Sequence, residues 1–228
     1  MRPLLISAAL FSFSLAGAVQ AQSLTRAEAI AIAETFVNHT WEATPKQVRH
    51  GKDSSGIEIH TPDREGGQAE PSTEAWVVNE TNTGVPYKWG GFDTPKKFDT
   101  GIKAGKGAGD LYTSEKRRLG GKAVSGDVVG IDCSGFVSRC WKLTEKHSTS
   151  TLNDVSRKLA SASELKPGDA MNTSGGHVLL FVKWLDPEQT RALFCEAAPF
   201  SKTRASERDI ADLTGSGYQP LRYRGIKD

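Results

Sequence analysis

The segment Gly176-His177-Val178-Leu179-Leu180-Phe181-Val182-Lys183-Trp184 is so rich in β-branched and aromatic residues that it reads as a long strand, and the rest of the chain has to be arranged around it. Arg191 to Ala197 reads as its hairpin partner and Tyr218 to Ile226 as a last strand, with Ser206 to Leu213 helix-like between them. Helical patterns come earlier. Over residues 24-41, Thr25 and Glu28 stand at capping-box spacing, and Leu24, Ala27, Ile30, Ala33, Val37 and Trp41 recur at helical intervals. Cys133 to Leu143 places Phe136, Val137, Cys140 and Trp141 on one stripe, and Thr151 to Ala160 reads as a further short helix. Helices first and sequential antiparallel strands afterwards is an α+β order.

A chain of 228 residues, 37% hydrophobic and 25% charged, is long enough to bury one main core and has neither a disordered nor a fibrous composition. Its 29 Lys and Arg against 27 Asp and Glu leave a net charge of +2, too small a field to recruit nucleic acid. The start of the chain reads as a signal peptide, residues 1-21: Arg2, the uncharged run Leu4 to Val19, then Val19-Gln20-Ala21 as the cleavage pattern. The expected product is an exported, periplasmic or secreted protein without a membrane anchor. Residues 22-84 read as an N-terminal helix and a loosely structured preface, and 85-228 as the main domain. The Gly- and Lys-rich stretch of about 99-130 looks inserted, as a surface flap or solvated loop. Cys133, Cys140 and Cys195 make an odd count with no C-x-x-C pair, which speaks against a zinc site. Alternation along Phe194-Cys195-Glu196-Ala197 sets Glu196 and Cys195 on opposite sheet faces. With Cys140 expected to face the surface that carries His177, the expectation is two buried thiols rather than a Cys140 to Cys195 disulfide.

The chemistry concentrates at Asp132-Cys133-Ser134-Gly135, where a strand-like run, Val128 to Ile131, gives way to a helix. A thiol in the first turn of a helix faces unpaired N–H groups and the positive end of the dipole, which favours thiolate. His177, opening its strand after a Gly-Gly pair, is a candidate base that later protonates a leaving amine, and Glu196 in the adjacent strand is a candidate partner for it. Asp132 equally suits a helix N-cap. His39, His50, His60 and His147 show no partner pattern.

Four segments in order, Tyr87-Lys88-Trp89-Gly90-Gly91, Asp132-Cys133-Ser134-Gly135-Phe136-Val137, Leu165-Lys166-Pro167-Gly168-Asp169 and Gly176-His177-Val178, resemble the signature segments of the NlpC-type bacterial cell-wall cysteine peptidases over residues 85-200. The resemblance implies a papain-like α+β fold with a helix-borne nucleophile packed on an antiparallel sheet, and cleavage of the γ-D-glutamyl to diamino acid bond in peptidoglycan stem peptides or muropeptides. It implies Cys133 as nucleophile, His177 as base and Glu196 as the residue orienting it, with Tyr87, Trp89, Asp132 and Ser134 binding substrate; Asp132 would meet the free amino end of the stem peptide. No cofactor or metal is called for, and a monomer is expected. The chain departs from the family pattern in two places. The third position is more often His, Asn or Gln, and Glu196 favours imidazolium there. The segment between Gly91 and Asp132 is longer than in many relatives. The same site also suits a cell-wall amidase or a peptidyl or acyl transferase, and a non-catalytic wall-binding module is the reading from a different class.

Overall fold

The computed structural model describes residues 23–64 and 75–228, so the signal-peptide reading and part of the preface lie outside the described residues. Helix and sheet are mixed, as expected of an α+β chain. Six strands form one antiparallel sheet: β1 (Ser156–Lys158), β2 (Ala170–Asn172), β3 (Val178–Trp184), β4 (Arg191–Ala197), β5 (Thr203–Asp209) and β6 (Gln219–Tyr223), in the spatial order β5-β4-β3-β2-β6-β1. The helices are α1 (Arg26–Val37), α2 (Pro95–Lys103), α3 (Ser114–Leu119), α4 (Cys133–Cys140), α5 (Leu152–Val155) and α6 (Ile210–Gly215).

Strand β3 is buried on both faces through Phe181 because two apolar layers meet on it. On one face, α4 and α1 pack with Phe136, Val137, Cys140 and Phe36 against Val178, Leu180, Cys195 and Ala197. On the other, Leu179, Phe181, Phe194 and Met171 meet Leu159, Leu165 and Leu213. The period-2 alternation of β3 and β4 feeds the two layers separately. Helix α1 carries the expected capping box, Thr25 with Glu28, but is shorter than the 24-41 read for it, Trp41 lying in the strand Thr40–Glu42; it seats Phe36 edge-on against Phe136 with ring centroids 5.6 Å apart. Burying one such ring fully contributes about 1.5–3 kcal/mol. Residues on both sides of position 84 thereby enter one apolar cluster.

Several sequence expectations are corrected. Thr151 to Ala160 is one helical turn followed by β1, because Ser156 to Lys158 finds a ladder partner in Leu221 to Tyr223. Ser206 to Leu213 is half strand: β5 runs through Asp209 against β4, and the Asp209 carboxylate then caps α6. The 99-130 segment is neither flap nor solvated loop. It holds α2 and α3, pairs Gly107–Ala108 with Val128–Val129, and buries Asp110 against Lys116 in an ion pair of 2.6 Å. The preface is more ordered than read where it is described, with His50–Lys52 paired to Glu58–His60 and Thr40–Glu42 paired to Thr81–Thr83.

The Leu165 to Asp169 turn is explained by packing. Gly168 adopts φ +86°, its carbonyl accepts from Trp141 Nε1 at 2.8 Å, and Asp169, fully buried, is held by Arg222 at 2.7 Å and Arg26 at 3.1 Å.

Candidate active site

Helix α4 begins at Cys133 because Asp132 caps it: the carboxylate Oδ1 accepts from Gly135 N at 2.6 Å and from Ser134 Oγ at 3.0 Å. The cap leaves the N–H groups of Cys133 and Ser134 ahead of the first intrahelical acceptor, at the positive end of the helix. The helix start is held against the Trp89-Gly90-Gly91 turn so closely that a Cβ on Gly135 would stand 2.2 Å from the Gly91 carbonyl oxygen. Glycine at 135 is what permits that approach.

His177 enters β3 in step with Leu179 and Phe181, the same face as Glu196 on β4, and the two are diagonal neighbours across the ladder. Its Nε2 meets Glu196 Oε2 at 2.7 Å. Its Nδ1 is buried with no hydrogen-bond partner among the described residues, and it is the ring nitrogen left for Cys133, the other side chain with which the imidazole interacts. Burial opposes charge on the ring, but Cys133 and then Glu196 outweigh it, and His177 is pushed up to about 10. This agrees with the expectation that a Glu at the third position favours imidazolium. The Glu196 carboxyl is held below its usual range although burial works the other way, because His177 and Arg208 stabilise its charge. Glu196 Oε1 accepts from Arg208 at 2.5 Å and Arg204 at 3.2 Å.

These groups open on a cleft of about 910 Å³. All of Tyr87, Trp89, Asp132 and Ser134 line it, together with Cys133 and His177; Glu196 stands behind His177 and does not line it. Tyr87 is buried, and desolvation, then the charges of Cys133 and Asp132, push its phenol well above the ordinary range, so it is a hydrogen-bond donor at neutral pH. Trp89 donates its indole N–H to Gly120 at 3.2 Å and meets Tyr112 edge-on. Asp132, read equally as a helix cap and as a substrate anchor, performs the first role, and its second oxygen is bound by Lys146 at 2.9 Å.

Sequence reasoning missed Lys146, Arg204, Arg208 and the contributions of Tyr112 and Arg117 to the cleft wall. The arginines were findable. Once residues 203-209 are read as a strand, alternation sets Arg204 and Arg208 on one face, and Arg204 is directly opposite Glu196. The three cysteines are all thiols, as expected, but the geometric reason was inverted. Glu196 points toward His177 and Cys195 points away as predicted, yet Cys140 lies on the Cys195 face, with both in the layer between α4 and the sheet. Burial pushes the Cys195 thiol up to about 12, and burial together with nearby Cys195 raises Cys140 as well, so neither competes with Cys133 as a nucleophile. The histidines without a sequence pattern also have partners: His39 meets Asp99 at 2.7 Å and His50 meets Asp63 at 3.0 Å.

No protein-family model matches the chain, and no curated protein matches it in sequence. A solved structure of NlpC1 from Trichomonas vaginalis aligns at 15% identity and a TM-score of 0.30, over 43% of this chain and 36% of that one, a likeness too slight to carry an argument.

Proposed function

We propose that the protein is an exported cysteine peptidase of the NlpC type, hydrolysing peptidoglycan stem peptides at the γ-D-glutamyl to diamino acid bond. The observation that carries the reading is the His177 ring: one nitrogen fixed by a buried carboxylate, the other buried, unbonded and left for a thiol at a helix N-terminus. Buried polar atoms mostly have partners, so a ring nitrogen left open beside a thiol favours chemistry over packing. The four signature-like segments supply the choice of substrate, and the leader-like residues 1-21 the exported location.

In the proposed reaction the Cys133 thiolate attacks the scissile carbonyl carbon, and the N–H groups at the start of α4, with the Tyr87 hydroxyl nearby, receive the oxyanion. The imidazolium gives its proton to the departing amine as the C–N bond breaks, leaving a thioester on Cys133. Water, deprotonated by the now neutral His177, attacks the thioester; the acid leaves and the thiolate–imidazolium pair is restored. Glu196 is a positioning residue throughout.

Mass spectrometry of products from L-Ala-γ-D-Glu-diaminopimelate tripeptide and from intact sacculi tests the reading, with Cys133→Ala as control. Release of L-Ala-γ-D-Glu from the tripeptide by the native protein alone is expected. A Cys133 that reacts quickly with iodoacetamide while both substrates stay intact would mean that the bond has been misassigned.

A further inference from the structure

The charges around the cleft do not match recognition of a free amino end. Asp132 is the one acid among the described residues that line the cleft, and its carboxylate is already engaged. Oδ1 caps α4 and accepts from Ser134, and Oδ2 is bound by Lys146, whose Nζ also lies 3.4 Å from Ser134 Oγ. The Asp132 side chain is 8% exposed and that of Lys146 26%, so a ligand arriving from the cleft meets the ammonium before the carboxylate.

Arg117, on α3 of the inserted segment, also lines the cleft. Its Nη2 lies 3.7 Å from where a Cβ of Gly175 would stand, two residues before His177. No acidic partner lies within ion-pairing distance of Arg117 among the described residues, although its neighbour Arg118 is bound to Glu115. Helix α3 is anchored from beneath by Lys116, buried and bonded to Asp110 and to the Glu58 carbonyl. The guanidinium is therefore carried on a fixed support, and it presents a planar pair of donors suited to a carboxylate.

We infer that the cleft takes its ligand through a free carboxylate held by Arg117, and that Lys146 closes Asp132 to a ligand ammonium. The inference rests on the cysteine-hydrolase reading for its substrate class: a peptide bearing an unblocked carboxylate beside the bond attacked, rather than one selected by its free amino end. Arg117 is thus a specificity residue supplied by the inserted segment, and Lys146 is a positioning residue acting through Asp132.

The test needs no turnover. Cys133 is alkylated at low ionic strength with iodoacetate, iodoacetamide and 2-bromoethylammonium, and the rate at Cys133 is read by peptide mapping. The iodoacetate to iodoacetamide ratio is expected to fall about three- to tenfold in Arg117→Gln, the factor for one unit charge several ångströms away in partly screened surroundings. It should be unchanged in Arg118→Gln. In Lys146→Gln the 2-bromoethylammonium rate should rise relative to iodoacetamide, as Asp132 becomes available. A ratio indifferent to Arg117→Gln, or one that falls equally in Arg118→Gln, overturns the proposal. Charge-selective alkylation in a protein that cuts no peptide counts against the hydrolase reading alone, whereas peptide hydrolysis with charge-blind alkylation counts against Arg117 and Lys146 alone.

Discussion

Glu196→Gln is the substitution that most directly examines the site, because it removes a charge while keeping an oxygen where His177 needs an acceptor. In the native protein the Nε2 to Oε2 bond is 2.7 Å and the carboxylate side chain is 2% exposed, so solvent screens the pair little. A hydrogen bond to a charged group contributes about 1.5–3 kcal/mol, against about 1 for a neutral one, and 1.36 kcal/mol is one pKa unit. Starting from about 10, the His177 titration should move down by about half a unit to one and a half units, to about 8.5 to 9.5. The remaining elevation belongs to the neighbouring Cys133. Because the folded value is raised above the ordinary 6.5, the imidazolium contacts stabilise the fold fully below that pH and are lost as pH rises through about 10. In the variant that loss should set in about half a unit to one and a half units earlier. The assay is an NMR titration of the His177 ring nitrogens, which reports imidazolium directly, followed by the alkaline limb of kcat/KM on whichever peptide is cleaved. A native His177 that titrates near 6.5, or a midpoint that Glu196→Gln leaves in place, would refute the assignment of Glu196 as the stabiliser of the charged ring.

Two further outcomes follow from local geometry. Gly135→Ala would place a methyl group 2.2 Å from the Gly91 carbonyl oxygen, and neither the backbone at 91 nor the start of α4 can yield without displacing Cys133. We expect about 1–3 kcal/mol of lost stability in urea unfolding, with Cys133 alkylation slowed in protein that remains folded; unaltered alkylation would show that the helix start is not held as tightly as the structure has it. Glu28 is held down at about 2, first by its hydrogen bond to Lys142 and then by those to Thr25. A carboxylate with a depressed folded value gives stability that is present above about 4.5 and lost as pH falls through about 2, so Glu28→Gln should flatten the acid limb of Tm over that window. An acid limb of the same slope in both proteins would contradict it.

How much of this was legible in the sequence depends on whether the signal was local. The capping box at Thr25 and Glu28, the helix opening at Asp132-Cys133, and the hairpin of β3 and β4 all announce themselves within a few residues, and all stand in the structure. Ser156 to Lys158 and the first half of Ser206 to Leu213 were misread because their strand character comes from distant ladder partners, Tyr223 to Leu221 and Leu193 to Phe194 among them, which override weak local preference. The Lys-rich segment misled for a related reason. Lys116 reads as solvent-facing until Asp110 and the Glu58 carbonyl are folded around it. The candidate site shows the same division: the meeting of His177 with Glu196 is foreshadowed by residue type and setting, but Lys146, twelve residues beyond Ser134, has no sequence mark tying it to Asp132.

The pair of arginines behind Glu196 gives the network a sign that can be tested. A buried carboxylate with one oxygen on His177 would leave the other without a partner, at a cost of a few kcal/mol; Arg204 and Arg208 fill that place. They also act on His177, in two ways that point in the same direction. Each draws negative charge toward Oε1 and away from the oxygen that faces the ring, and each is a cation on the same side of the sheet as the imidazolium. Removing one should therefore strengthen the hold of Glu196 on the charged ring and relieve a repulsion. Arg208→Gln, which loses the shorter of the two bonds at 2.5 Å, is expected to raise the His177 midpoint above its native value while lowering stability by about 1–3 kcal/mol, since a buried carboxylate loses a donor. Glu196→Gln and Arg208→Gln thus shift the ring in opposite directions. A loosened sheet edge would move both variants the same way, so a downward shift in Arg208→Gln would mean that packing, rather than this chain of charges, sets the state of His177.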